Sequence, residues 1–479
     1  MTHSAVDRRN NALREQVRTF GVVGSGMTVR PDIRDRMTLA LFVACTTVLL
    51  SPGLILGPDH DASVFLTVGA GVVDGRTPYL DLWDHKPPLI YLIHAMGTVL
   101  PGPPWLGVWM MTASALLATA AMLVPLVGVP AALLALVASG GFSAAQGGGL
   151  TETFATFFAL GAVGLTLRGR PLLAGIAAGA AVLTSLLLVA IVPALLLLAP
   201  RRAWPRGVLG AAIPVTAVAA WLVFAGALPA AWDAVVTYNR LYLGLDRSAD
   251  LGQQLPSVAF MLFPLAMLSV AGAMPRTRLG FAALAWLTVG FALLAMNGRL
   301  FPHHFTPLIV PLAILAAPGI ERIGRARRWV VPGFVIGSVL VGAVIEPVVH
   351  AHLHAGPPSR AVAAWLTANT DPSASVLIWG FEPAAAVLAD RASAGRYPYY
   401  LPLTTRNYAT PALVDEWVAS LRADPPAVIV DARGAFAVPR PGSGGGRDLD
   451  LIDPFRAFVA ERYVDVAVVA GRSVYLPRE

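Results

Sequence analysis

Two stretches of this chain hold polar side chains of the types that do chemistry. The first reads Gly57-Pro-Asp-His-Asp-Ala-Ser-Val-Phe65, followed by Asp74-Gly-Arg-Thr-Pro-Tyr-Leu-Asp-Leu-Trp-Asp-His-Lys-Pro-Pro-Leu89. A carboxylate at a helix start, such as Asp59 or Asp61, can serve as a general base or bind a cation. Aspartate is also a favoured N-cap, so capping is the alternative role for both. Lys86 is the only lysine among 35 cationic residues, which sets it apart from the arginines. It stands just before a Pro-Pro helix start, where it could pair with a phosphate. Its plainer reading is an interfacial cation whose stem lies along apolar surface.

The second stretch is Asn297-Gly-Arg-Leu-Phe-Pro-His-His-Phe305. Arg299 with His303 makes a plausible phosphate clamp; the alternative is an interfacial anchor. His303 and His304 are adjacent, and neighbours in sequence do not share one helix surface, so the pair alone is not expected to hold a metal. Glu152, in Gln146-Gly-Gly-Gly-Leu-Thr-Glu-Thr153, enters an apolar run, where an unpaired carboxylate is costly. Tyr238-Asn239-Arg240-Leu-Tyr242 is a further polar, aromatic patch. His350, His352 and His354 alternate, but no cysteine or carboxylate joins them at zinc-ligand spacing.

The elements that must position these residues are membrane helices. The chain is 56% hydrophobic and only 13% charged, about half the charge of a soluble domain. Too little polar sequence remains to coat one large buried helical core. Apolar runs of roughly 20 residues, long enough to span a bilayer, begin near Met37, Trp105, Pro130, Leu150, Pro171, Ser185, Gly207, Pro256, Gly280, Thr306 and Trp329. The expectation is an α-helical polytopic membrane protein of about 11 spans. The runs starting at Pro171 and Ser185 form a hairpin of two short helices, because both flanks of the pair are basic.

Charge orients the bundle. Residues 1–36 form a polar, arginine-bearing tail. With that tail in the cytoplasm, the clusters Arg168/Arg170, Arg201/Arg202/Arg206, Arg276/Arg278 and Arg322/Arg325/Arg327/Arg328 all fall inside. The acidic residues show the reverse pattern and concentrate in a first outer loop, residues 58–104. Residues 87–100 are apolar but short; a full span there would put Arg168 and Arg170 outside, so an interfacial or re-entrant helix is expected. The membrane domain thus covers residues 37–350. Residues 351–479 balance arginines against acids and alternate β-rich strings with helical ones, which predicts a small extracytoplasmic α/β domain with a Gly/Ser loop at residues 441–446. The single cysteine, Cys45, permits no intrachain disulfide. The net charge of +7 is local rather than a basic face, so no nucleic-acid partner is expected. No P-loop or dinucleotide fingerprint is present.

On these residues the sequence resembles the GT-C membrane glycosyltransferases, the superfamily of the protein O-mannosyltransferases and the aminoarabinose transferases. The resemblance rests on Asp61 in Asp-Ala-Ser-Val-Phe and on the stretch Gly-Arg-Thr-Pro-Tyr-Leu-Asp-Leu-Trp-Asp-His-Lys-Pro-Pro-Leu. It continues in Thr-Glu at Glu152, in Arg-Leu-Phe-Pro-His-His-Phe, and in Trp379-Gly-Phe-Glu-Pro383 with Arg396-Tyr397. It implies a multi-pass plasma-membrane enzyme that moves a sugar, with inversion, from a polyprenyl-phosphate-linked donor to an extracytoplasmic glycan, lipid or protein. Asp61, or else Asp59, would be the base. Lys86, Arg299 and His303 would hold the donor phosphate. Asp84, His85, Glu152, Tyr238, Arg240 and His304 are further expected substrate contacts. No cofactor is required and no metal ligand set is expected, although Asp59 and Asp61 could share a divalent cation. Two departures stand out: Thr184-Ser185 lacks a lysine that many relatives carry, and His304 replaces a more usual aromatic residue.

Two other classes compete. A lipid or polysaccharide transporter or flippase would place charged residues in the middle of several spans, and almost none is found there. A non-catalytic envelope scaffold would leave the acidic loop and Lys86 without a role.

Overall fold

The computed structural model describes residues 33–58, 60–144, 147–242, 251–272, 275–297, 301–324, 333, 358–432 and 450–479. Residues 1–32, expected to form a cytoplasmic tail, most of the run expected from Trp329, the histidines at 350, 352 and 354, and the Gly/Ser loop lie outside these residues.

The apolar runs form helices: α1 (Ile33–Leu56), α2 (His60–Val73), α3 (Leu89–Thr98), α4 (Pro104–Ala144), α5 (Thr151–Leu167), α6 (Pro171–Thr184), α7 (Val192–Leu198), α8 (Trp204–Phe224), α9 (Leu251–Gly272), α10 (Arg278–Asn297) and α11 (Thr306–Gly324). Among the described residues, five helices are long and apolar enough to cross a membrane: Arg36–Leu54, Pro104–Ser143, Arg201–Phe224, Arg278–Met296 and Pro302–Ile323. Shorter apolar helices stand between them.

One helix break falls at a glycine just before a proline, another at Ser185. Gly128 has φ 78°, ψ 164° inside α4, so this element is two helices joined at a kink just before Pro130. The chain turns extended at Ser185 (φ −147°, ψ 124°), dividing α6 from the 3-10 turn Leu186–Ile191 and α7. Helix α6 packs on α8 through small residues: a Cβ on Gly175 would meet the Gly207 carbonyl oxygen at 2.0 Å. Small residues let backbones approach closely where lipid supplies no hydrophobic drive between helices.

The bundle core is built from Phe42, Leu49, Leu136, Trp286, Leu308 and their neighbours. Outside it, large apolar side chains face outward: Leu39 and Val48 on α1, Leu209 and Ile213 on α8, and Phe224, which is 90% exposed. A soluble protein does not leave an apolar belt of this extent in water, so the bundle belongs in a membrane.

The C-terminal part pairs helices with a five-stranded sheet, β1 (Ser375–Trp379), β2 (Ala392–Ser393), β3 (Val428–Asp431), β4 (Tyr463–Val469) and β5 (Arg472–Pro477), in the order β2-β1-β3-β5-β4. Strands β1, β2 and β3 run parallel; β5 is antiparallel to β3 and β4. Alternation along β1 and β3 sends Val376, Ile378, Val428 and Val430 to one core, with Val362 and Leu366 of helix α12 (Pro358–Asn369). It sends Leu377, Trp379 and Ile429 to the other. That second core is shared. It runs without interruption from Trp379, Tyr397, Tyr399 and Trp417 into Trp83, Tyr91, Val64 and Phe65. The sheet is therefore fastened to the first loop through one apolar core instead of standing apart from it.

Candidate active site

The site forms where three helices begin. Asp61 lies in the first turn of α2, Glu152 in the first turn of α5, and His303 and His304 in the 3-10 turn Pro302–Phe305 that leads into α11. Acidic side chains sit well in first turns, where unpaired N–H groups make the helix end positive. A glycine run steers Glu152. Gly147, Gly148 and Gly149 take φ 72°, 87° and 77°, the left-handed region that other residues enter only at a cost. This turn ends on the Gly149 carbonyl, to which His94 Nε2 of α3 donates at 2.8 Å.

These pieces meet. His303 Nε2 lies 3.8 Å from Asp61 Oδ2, with His303 3% and Asp61 29% exposed. Ligand atoms of Glu152, His303 and His304 lie within 4.8 Å of one another, and all three residues are buried. The two imidazoles stand edge to face, with centroids 4.5 Å apart. Ser185 Oγ donates to Glu152 Oε1 at 3.4 Å, so the position that departs from the resembled pattern lies inside the site. From sequence, the adjacent histidines alone are not expected to hold a metal; here both lie in a 3-10 turn and approach a third group, Glu152.

Lys86 completes the cluster. Burial lowers the proton affinity of its ammonium, but the carboxylates of Glu152, Asp61 and Asp84 outweigh burial and hold it above the ordinary lysine value. Its carbonyl accepts from the Tyr79 hydroxyl at 2.8 Å. Pro88 then stands at the N-cap of α3. An exposed snorkelling cation would not sit half-buried among three carboxylates.

The loop around Lys86 is anchored by the sheet part. Asp84, 2% exposed, accepts from Tyr399 Oη at 2.7 Å and from Tyr91 Oη at 2.9 Å. His85 Nδ1 lies 3.2 Å from Asp84 Oδ1 and 3.0 Å from Tyr399 Oη. Burial pushes the Asp84 carboxyl up, but His85, Tyr399 and Lys86 outweigh burial and leave it below the usual value. Arg396 donates through Nη2 to the Tyr79 carbonyl at 2.8 Å, while its own carbonyl accepts from the Trp83 amide at 2.8 Å. Glu382, of the Trp-Gly-Phe-Glu-Pro string, pairs with Arg472 within the sheet.

Of the residues expected to contact substrate, the structure therefore brings together Asp61, Lys86, Glu152, His303 and His304. Asp84 has its carboxylate engaged within the protein and acts as an anchor. Tyr238 is fully buried, 4.8 Å from the Trp83 ring and 3.3 Å from Thr405 Oγ1, so it packs the joint between loop and sheet instead of facing a substrate. Arg240 is exposed on the turn Asn239–Tyr242. Asp59 and Arg299 lie outside the described residues. Sequence reasoning missed His94 and Tyr399, and it marked Ser185 only as a departure from the resembled pattern. His94 and Ser185 each had one signal, a lone polar residue beside a helix break or on an apolar helix.

The fold is thus a helical membrane bundle whose first loop is held against an α/β sheet part. Two solved structures of ArnT, an aminoarabinose transferase, from Cupriavidus metallidurans share it. The one bound to undecaprenyl phosphate aligns with TM-score 0.62 at 17% identity, over 91% of this chain and 97% of that one. The apo structure aligns with TM-score 0.56 at 16% identity, over the same shares. An Archaeoglobus fulgidus oligosaccharyltransferase in complex with zinc and sulfate aligns more loosely, with TM-score 0.47 at 12% identity over 83% of this chain and 68% of that one. No protein-family profile matches the sequence, and no curated protein matches it. At such identities the likeness is one of fold.

Proposed function

We propose that the chain is a glycosyltransferase that moves a sugar from a polyprenyl-phosphate-linked donor to an extracytoplasmic glycan, lipid or protein acceptor. The observation that carries this reading is the meeting of Asp61, Lys86 and His303 at one end of an apolar bundle. Undecaprenyl phosphate bound to an ArnT of the same fold supports the choice of donor class. The lipid tail stays in the bilayer and the charged head reaches a basic group at its edge.

Asp61 accepts the proton of the acceptor hydroxyl, and the resulting oxygen attacks the anomeric carbon from the face opposite the phosphate. The bond from that carbon to the phosphate oxygen breaks, and polyprenyl phosphate leaves with its electron pair. Lys86 stabilises the charge that develops on the leaving oxygen, assisted by His303 and by Arg299. Configuration at the anomeric carbon inverts.

The orientation of the bundle follows the same reading. Glu152 lies in the first turn of α5 and Arg168 caps its far end, roughly 24 Å along the helix. His303 and Arg322 bracket α11 in the same direction. With the arginines cytoplasmic, the site and the sheet part face outward, and the N-terminus lies inside. About 11 spans fit this arrangement.

Transfer of radiolabelled sugar from polyprenyl-phosphate donors, in purified membranes, tests the reading. Wild type transfers and Asp61→Asn does not, while inserting normally. Equal transfer by both would remove Asp61 as the base; transfer by neither from any donor would return the flippase and scaffold readings.

A further inference from the structure

We infer that Glu152, His303 and His304 form a binding site for one divalent metal ion of the zinc class. Two imidazoles and a carboxylate, drawn from two separate helix starts, are a three-ligand set that leaves an open coordination position. Imidazole selects zinc and neighbouring transition metals over magnesium or calcium, which prefer oxygen ligands throughout.

Independent support comes from atoms with nothing to bind. Among the described residues, Glu152 Oε2 and His303 Nδ1 are buried with no hydrogen-bond partner. A buried polar atom left unpaired is destabilising, and more so when it belongs to a carboxylate. Two such atoms in one cluster of three ligand residues point to a missing cation. Among the described residues, nothing else takes up these atoms. Ser185 Oγ reaches only the other oxygen of Glu152, at 3.4 Å. Asp61 lies beside Nε2 of His303, the opposite ring nitrogen from the unpaired one, where a carboxylate orients a metal-binding imidazole.

The local charge agrees. Among the described residues, Asp84 is engaged by Tyr399, Tyr91 and His85, and Asp61 and Glu152 are the carboxylates left facing Lys86. A divalent ion adds positive charge beside those two carboxylates, and its open position suits an oxygen anion such as a phosphate ester. The present ligand separations, up to 4.8 Å, need to contract to roughly 3.4 Å around a tetrahedral zinc with bonds of about 2.0–2.1 Å. Side-chain rotation on a short turn supplies that movement.

The metal site stands apart from the transfer reaction, because it is read with zinc alone and no donor. Full-length protein in detergent, free of any affinity tag, is titrated with zinc chloride by calorimetry and its bound metal counted. Wild type is expected to hold one more zinc than Glu152→Gln or His304→Gln, with affinity for that ion falling at least about tenfold in each variant. Zinc held elsewhere on the chain survives both substitutions and cancels in the difference. X-ray absorption on the wild-type protein gives a second reading that needs no variant: two imidazole nitrogens together with oxygen donors around the ion. Equal zinc in wild type and both variants, or a zinc shell lacking two imidazoles, would overturn the site.

Discussion

The Tyr399 hydroxyl donates to Asp84 Oδ1 at 2.7 Å, across 315 residues of sequence. This bond ties the sheet part to the loop that carries Lys86, two residues beyond Asp84. The loop would otherwise hold a buried carboxylate short of partners. Removing the hydroxyl in Tyr399→Phe leaves Asp84 with one strong donor fewer, at a cost of about 1.5–3 kcal/mol. The expected result is a lower melting temperature and a fall in sugar transfer of about tenfold or more, mostly in turnover, as Lys86 loses its fixed position. Transfer kinetics and thermal unfolding measured together check this. Unchanged kinetics in a destabilised protein would restrict Tyr399 to holding the fold.

The sequence shows some of this site and hides the rest for physical reasons. Asp61, Lys86, Glu152 and His303 stand out because charge and imidazole are costly in an apolar chain, so each isolated instance asks for a role. The break between the two halves of α4 is equally visible, since Gly128 and Pro130 punctuate an apolar run. Asp84 carried the same signal as Asp61, yet it is an anchor. The difference lies in Tyr399 and Tyr91, and a partner three hundred residues away leaves no mark on local spacing. His304 was legible as a polar contact, but its approach to Glu152 was not, because that depends on how a 3-10 turn meets the start of another helix. Tyr238 read as an open aromatic patch because nothing local tells that Trp83 and Tyr408 close over it.

The Asp84 carboxyl is held below its ordinary value of 3.8, with burial opposed and outweighed by His85, Tyr399 and Lys86. A depressed folded value means that ionised Asp84 stabilises the fold fully above pH 3.8. That contribution is lost as pH falls from there through the folded value. The wild type should therefore exceed Asp84→Asn in melting temperature by a constant margin near neutrality, and the margin should shrink only below about pH 4. Melting curves of both proteins across this range decide it. A margin that shrinks between pH 7 and pH 5 would mean that ionisation of Asp84 is not what sets it.

Gly149 takes φ 77° between the glycine turn and α5. A Cβ there would meet Ala62 Cβ at 3.1 Å and His94 Cε1 at 3.2 Å. Alanine at this position carries the left-handed penalty of roughly 1–2 kcal/mol and presses on the His94 ring that donates to its own carbonyl. Gly149→Ala should lower stability modestly and sugar transfer more strongly, because Glu152 begins three residues on. Gly75→Ala is the comparison: it shares the positive φ, 82°, but has open space around it. A drop in transfer no larger for Gly149→Ala than for Gly75→Ala would show that backbone strain alone matters and that Glu152 tolerates displacement.

Lys86 is surrounded closely, and that fixes its identity. Its ammonium faces Glu152, Asp61 and Asp84, and the carboxylates hold it above its ordinary value of 10.5 against the effect of burial. It stays charged throughout the range in which transfer is assayed; its stabilising contribution is full below 10.5 and fades only as pH rises through the higher folded value. Arginine keeps the charge but brings a planar fork, where lysine offers a compact point charge on a flexible stem. If Lys86 serves only as charge balance for the carboxylates, Lys86→Arg should transfer nearly as well as wild type. If the ammonium must reach one leaving oxygen, the expected outcome is loss in both Lys86→Arg and Lys86→Met, with Lys86→Arg retaining donor binding and losing turnover by about a hundredfold, the scale of one missing donor to a developing negative charge. Donor affinity and turnover measured separately in the two variants distinguish these outcomes, and full turnover in Lys86→Arg would remove the leaving-group role.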